Sequence, residues 1–178
     1  MVVYKMRYWF TSDQHFGHKN IIEYCERPFK TLEEMDSTIT KKHNQRVKEG
    51  DIVFCLGDFC FKGGKQGSQF KAQDYLKNLN GQTIFIKGNH DSTNKTKSII
   101  KSAHIQFGGL DINLVHNPQD FNPSFKLNLC GHVHNAWKSK AIKKHKTVLI
   151  NVGVDVHDFQ PINIQEILDI YNLTKKWK

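Results

Sequence analysis

The sequence predicts an α/β fold. Two observations carry the prediction. Short apolar runs rich in β-branched and aromatic residues recur along the chain, as buried strands require. Capped helical segments fall between several of them.

The strands are read in order. Residues 6–11 (MRYWFT) are the first, 52–56 (IVFCL) the second and 83–86 (TIFI) the third. Residues 112–115 (INLV), 127–130 (LNLC) and 147–152 (TVLINV) come next. Thr31-Leu32-Glu33-Glu34 has the form of a capping box, with Leu32, Met35 and Ile39 behind it at helical spacing. That helix is expected to end near Glu49, before Gly50. Residues 68–79 carry Phe70, Leu76 and Leu79, and Asn80-Gly81 stops them. Residues 98–103 read as a short helix, and Asn163 to Glu166 cap a last short one.

The chain has 178 residues, which suits one domain spanning 1–178. Hydrophobic residues make up 38% and charged residues 24%, a balance typical of a folded globular protein. No apolar run is long enough to span a bilayer, and the first ten residues lack the pattern of a signal peptide. The expected compartment is the cytosol, with no membrane partner. Cys25, Cys55, Cys60 and Cys130 show no C-x-x-C spacing, so they are expected to be reduced core residues. A formal net charge of +9 draws in anions such as phosphates or nucleic acid, or simply keeps the chain soluble.

The residues just past each strand are more informative. After the first come Asp13, His15 and His18, and after the second comes Asp58. After the third come Asn89, His90 and Asp91, then His116 after the fourth, then His132 and His134 after the fifth. Ligand sites in open α/β sheets lie outside the carboxyl ends of strands. An isolated histidine is usually a hydrogen-bonded bystander, and His43, His104 and His145 are read so. The residues at successive strand ends are read together. Imidazole, carboxylate and amide oxygen suit Mn²⁺, Fe²⁺, Zn²⁺ and similar divalent ions without any thiolate. The donors are too many for one tetrahedral ion, so two are implied, as in two-metal phosphoester hydrolysis.

D-x-H at Asp13 to His15, G-D at Gly57-Asp58, G-N-H-D at Gly88 to Asp91, His116, and G-H-x-H at Gly131 to His134 occur in order. Together they resemble the calcineurin-like metallophosphoesterase family, and specifically its small predicted phosphohydrolases. The resemblance implies a four-layer β-sandwich of two sheets flanked by helices. It implies that Asp13, His15 and His134 bind one ion, that Asn89, His116 and His132 bind the other, and that Asp58 bridges both. Mn²⁺ is the first expectation, with Fe²⁺, Zn²⁺, Ni²⁺ or Co²⁺ as alternatives. His90 is then an acid or charge stabiliser at the substrate, and Asp91 orients its ring. Purple acid phosphatases resemble the family but carry Tyr three residues after the bridging Asp. Phe61 stands there in this chain, so a tyrosinate-ligated ferric ion is not expected.

Other positions leave alternatives open. His18 either touches substrate phosphate or lies on the surface. Arg27 either clamps a phosphate or pairs with an acid such as Glu23. Asp155 and His157 either line the site from the rim or serve in turns, and the turn roles are preferred. Residues 63–68 (GGKQGS) do not match a P-loop and read as a mobile loop. The tract 137–146, with Lys138, Lys140, Lys143, Lys144 and Lys146, reads as a solvated hairpin or a nucleic-acid contact leaving the rim of the site. The function expected is hydrolysis of a phosphoester by attack of a dimetal-bound hydroxide. A phosphodiester is preferred and a phosphomonoester is the alternative. Nucleotides and nucleic acids are among the substrates this reading admits. A protein- or nucleic-acid-binding member without catalysis is the less favoured reading.

Overall fold

The computed structural model describes residues 6–61, 70–91, 96 and 98–175. β1 (Tyr8–Thr11), β2 (Ile52–Cys55) and β3 (Gln82–Phe85) pair in parallel. β4 (Ser102–Phe107) and β5 (Leu110–Val115) form an antiparallel hairpin through Gly108 and Gly109, both at positive φ. β6 (Leu127–Cys130) runs parallel to β5. β7 (Ser139–Ile142) is an antiparallel edge to β8 (Thr147–Asn151), which runs parallel to β6. β9 (Ile162–Asn163) adds to β1 in the opposite sense. The two mixed sheets have the orders β3-β2-β1-β9 and β4-β5-β6-β8-β7.

The sheets face each other across one apolar core. Phe10, Phe54 and Leu56 from the first meet Leu114, Leu129 and Ile150 from the second. Central strands buried on both faces need near-continuous apolar runs, and β6 and β8 are buried at every position. A second core, under the helices, joins Met35, Ile39 and Ala72 to Cys55 and Phe59. These come from α2 (Leu32–Arg46), α3 (Ala72–Leu76) and the far side of the first sheet. The short α1 (Ile21–Tyr24) contributes Ile21. α4 (Ile164–Thr174) packs across β1, β7, β8 and β9, and its Ile167 and Tyr171 join the inner core. All four cysteines are buried and free, as expected of core thiols. Among the described residues no helix is long and apolar enough to cross a membrane.

The caps explain where the helices start. Glu34 N donates to Thr31 Oγ1 at 3.1 Å, while the Glu34 carboxylate turns back to Lys30 N at 2.8 Å. Asn163 and Glu166 form a complete reciprocal box at 3.0 and 2.8 Å. α2 stops at Arg46, short of the expected Glu49, because Val47 turns to extended backbone.

One element is corrected. The helix expected over 98–103 is absent: Ile99 and Ile100 are exposed, and the chain enters β4 at Ser102. Alternation of Ala103 and Ile105 inward with exposed neighbours marks an edge strand. The loop at 63–68 lies outside the described residues, as does the start of the helix expected over 68–79.

Candidate metal centre

The parallel strands of both sheets end on one side, and their turns interlock. Asp13 N donates to Gly57 O at 3.0 Å and His15 N to Asp58 O at 3.1 Å, which sews the turn after β1 to that after β2. Ser12 forms a bridge with Gly153, joining the end of the first sheet to the end of the second. His132 N donates to Asp13 Oδ2 at 2.9 Å, which brings the turn after β6 against that after β1. The turns are tight enough to require glycine. Gly57 has φ +99°, and a Cβ there would meet the Gly88 backbone at 2.6 Å.

These turns hold their side chains in costly conformations. Asp13 (φ 58°), His15 (φ 53°), Asp58 (φ 53°), His132 (φ 70°) and His134 (φ 45°) all occupy the left-handed region without being glycine. Each such residue costs roughly 1–3 kcal/mol, and such strain gathers at functional sites. All five are ligands expected from the sequence.

The ligand atoms fall into two groups. Asp13, His15 and His134 bring one atom each within 4.8 Å of one another, and Asp58, His116 and His132 do the same. Asn89 Oδ1 sits between His116 Nε2, at 2.8 Å, and His132 Nδ1, at 2.9 Å. His116 Nδ1 donates to Leu56 O at 2.7 Å, which leaves Nε2 facing the centre. Asp58 Oδ2 lies 3.8 Å from His15 Nε2 and 3.3 Å from His116 Nε2, so it faces both groups. His90 belongs to neither. Its amide donates to Asp58 Oδ1 at 2.9 Å, and its ring stands 5.6 Å from that of His15 at the exposed rim.

The electrostatics fit divalent cations. Asp13 is fully buried, and burial pushes its carboxyl above the usual range. Burial pushes His15 well below the usual imidazole value, and its Nε2 is buried with no hydrogen-bond partner. A buried polar atom left unpaired is unfavourable by about 1–3 kcal/mol, and a cation between Asp13 and His15 would relieve both residues. Burial would raise Asp58, but the hydrogen bond and charge of His116 bring it down to about 2. Burial likewise opposes charge on His116, yet Asp58 and Asp13 hold it up at about 9. Without ions, the second group is therefore a carboxylate–imidazolium pair.

Four residues take places that the sequence left open or did not mark. Arg27 is not a phosphate clamp. It is 4% exposed, and all its nitrogens are engaged by Asp155, by the Asp13 and Gln14 carbonyls and by Met35 Sδ. The acid it pairs with is Asp155 rather than Glu23. Asp155 in turn accepts from His134 Nδ1 at 2.9 Å, so it supports the site instead of serving only a turn. No sequence signal marks it, because Arg27 and Asp155 are 128 positions apart. Asp91 accepts from the amides of Gly88, Asp58 and Phe59 at 2.8, 3.1 and 3.3 Å. It therefore braces the turn after β2 against the turn after β3. His18 lies beside His15, its Nδ1 3.4 Å from that of His15, and stacks on Phe61 with ring centroids 4.2 Å apart. Burial and the neighbouring His90 lower it to about 4, so it presents a neutral imidazole to the rim.

Comparison with known proteins gives the family of the chain. The model of the calcineurin-like phosphoesterase superfamily domain matches residues 6–163. An uncharacterized protein of Methanocaldococcus jannaschii is 37% identical over 165 residues, which cover 89% of this chain and 88% of that one. The crystal structure of a protein of unknown function from Aquifex aeolicus superposes with a TM-score of 0.75 at 25% identity, covering 93% of this chain and 100% of that one. From the turns that carry its ligand groups to the two sheets behind them, this chain belongs to the calcineurin-like phosphoesterase superfamily.

Proposed function

We propose that this chain is a phosphodiesterase that works with two divalent metal ions. The observation that carries the reading is Asp58 Oδ2, one carboxylate oxygen facing His15 at 3.8 Å and His116 at 3.3 Å. Asp13, His15 and His134 would hold one ion, Asn89, His116 and His132 the other, and Asp58 both. Ions held there supply Lewis-acid polarisation of the phosphoryl group and a nucleophile derived from water.

The chain's own residues do the rest. His90 stands at the exposed rim, its ring 5.6 Å from that of His15, where its imidazole would reach a leaving oxygen. As the ester P–O bond breaks, the proton on that imidazole passes to the departing oxygen and is later replaced from solvent. Asp91 and the amide of His90 keep Asp58 and its turn in register. A diester is favoured because Asn89 and His90 are exposed, so the centre is open on that side to a second substituent.

The test is turnover of bis(p-nitrophenyl) phosphate and p-nitrophenyl phosphate by metal-stripped protein before and after addition of Mn²⁺. Diester turnover that appears with the metal and disappears with chelator is expected. Faster turnover of the monoester would overturn the diester assignment, and metal-independent turnover would overturn the metal assignment.

A further inference from the structure

A cavity of about 330 Å³ opens beside the His116 side of the centre, lined by Lys87, Asn89, Lys101, His116, Asn117 and Asp120. It shares Asn89 and His116 with the proposed ligand set, so it adjoins the proposed centre. Lys87 N donates to Ile100 O at 2.7 Å, which ties the two lysine-bearing segments together. Asn117 Oδ1 accepts from Gln119 N at 2.9 Å and fixes the turn that carries Asp120. Among the described residues, neither Lys87 nor Lys101 forms an ion pair. Two lysines and one aspartate, all exposed, thus line one small space.

We infer that this cavity binds a second phosphate of the substrate, carried on a sugar attached to the scissile phosphodiester. The inference rests on the proposed phosphodiesterase reading. Lys87 and Lys101 supply the positive charge for a phosphate. Asp120 supplies an acceptor for a sugar hydroxyl. The volume lies at the lower end of the roughly 300–1,000 Å³ of ligand sites, which suits one sugar-phosphate unit.

The experiment uses a matched pair of substrates: thymidine 5′-(p-nitrophenyl phosphate) and the same compound bearing a 3′-phosphate. Each is assayed for p-nitrophenolate release by the Mn²⁺-reconstituted wild type and by Lys87→Gln/Lys101→Gln. The wild type should favour the 3′-phosphorylated compound by about tenfold in kcat/KM, mainly through KM, as two exposed charge contacts would give. The double variant should lose that preference while keeping its rate on the other compound. Equal kcat/KM for the pair in the wild type, or a preference retained by the double variant, overturns the inference. If neither compound is turned over, the phosphodiesterase reading fails by itself. Calorimetric titration with thymidine 3′,5′-bisphosphate and thymidine 5′-monophosphate then decides the cavity's role. Tighter binding of the bisphosphate that is lost in the double variant sustains it, and equal affinities overturn it.

Discussion

Arg27 and Asp155 form a bidentate ion pair, at 2.7 and 3.0 Å, with both side chains almost wholly removed from solvent. The same guanidinium donates to Asp13 O at 2.7 Å and Gln14 O at 2.9 Å, and the same carboxylate accepts from His134 Nδ1 at 2.9 Å. One buried cation therefore braces the turn that carries Asp13 and His15, and through Asp155 it also orients His134. Asp155→Asn should leave Arg27 without its counter-ion, a loss of about 3–5 kcal/mol of stability. It should also weaken metal binding at the Asp13 group by about 10–100-fold while leaving the Asp58–His116–His132 group intact. Metal titration of the folded variant checks this, and two ions bound with wild-type affinity would refute it.

Asp58 and His90 separate metal binding from chemistry. Asp58→Asn removes the carboxylate that faces both groups and leaves His116 without the partner that holds it up at about 9. It should lose bound metal and turnover together. His90→Ala removes a side chain outside both groups, so it should keep two ions and lose about 10²–10⁴-fold in kcat. Elemental analysis alongside kinetics distinguishes the two variants. Wild-type kcat in His90→Ala would show that the leaving oxygen takes its proton elsewhere.

Much of this centre was legible because its residues stand in fixed order after apolar runs. A strand end is a local feature, and Asp13, Asp58, His116 and His132 each lie just past one. The Arg27–Asp155 brace was not legible, since it joins residues that meet only through the fold. Three of the four edge strands, β4, β7 and β9, were missed for a related reason, whereas the fourth, β3, was read. β7 runs through a lysine-rich segment, and β4 exposes four of its six residues, so neither carries the continuous apolar run that marks β6. β9 has only two residues, too few for any periodicity.

Stability should fall in mild acid through His157. Burial lowers its pKa to about 4, while its Nε2 lies 2.8 Å from Asn151 O. The folded value is below that of the unfolded chain, near 6.5, so the native state holds the neutral ring. As pH falls below about 6.5 the unfolded chain takes up the proton first. The contribution is full above that pH and declines through about 4, by up to ~3 kcal/mol. His43, lowered by burial in the same direction, adds to the slope. Denaturant unfolding of metal-free protein at a series of pH values checks this. His157→Gln should flatten the dependence, and an unchanged slope would remove His157 as its source.

The lysine tract changes meaning once it is placed. Sequence alone has the tract leave the rim of the site, and the structure keeps only its beginning there. Asn151, at the carboxyl end of β8, donates to His134 O at 2.8 Å and so marks the site end of that strand. Thr147, at the other end, pairs with Ile142, and the turn over Lys143–His145 lies just beyond. Four residue steps of about 3.3 Å put that turn roughly 13 Å from the site end of the strand. Lys140, on β7 between the two ends, lies over the Trp137 ring, its Nζ 4.8 Å from the centroid. Exposed charges separated by more than the Debye length of about 8–10 Å are largely screened. Replacing Lys140, Lys143, Lys144 and Lys146 together by Gln should therefore leave turnover of a small diester unchanged. For a single strand, removing a lysine that neutralises one phosphate would reduce the slope of log affinity against log salt by roughly 0.7. A dinucleotide with its one phosphodiester at the metal centre does not extend to the far turn, so the variant should keep the wild-type slope. A salt titration of dinucleotide binding makes the comparison, and a slope flattened in the variant would return the tract to the substrate path.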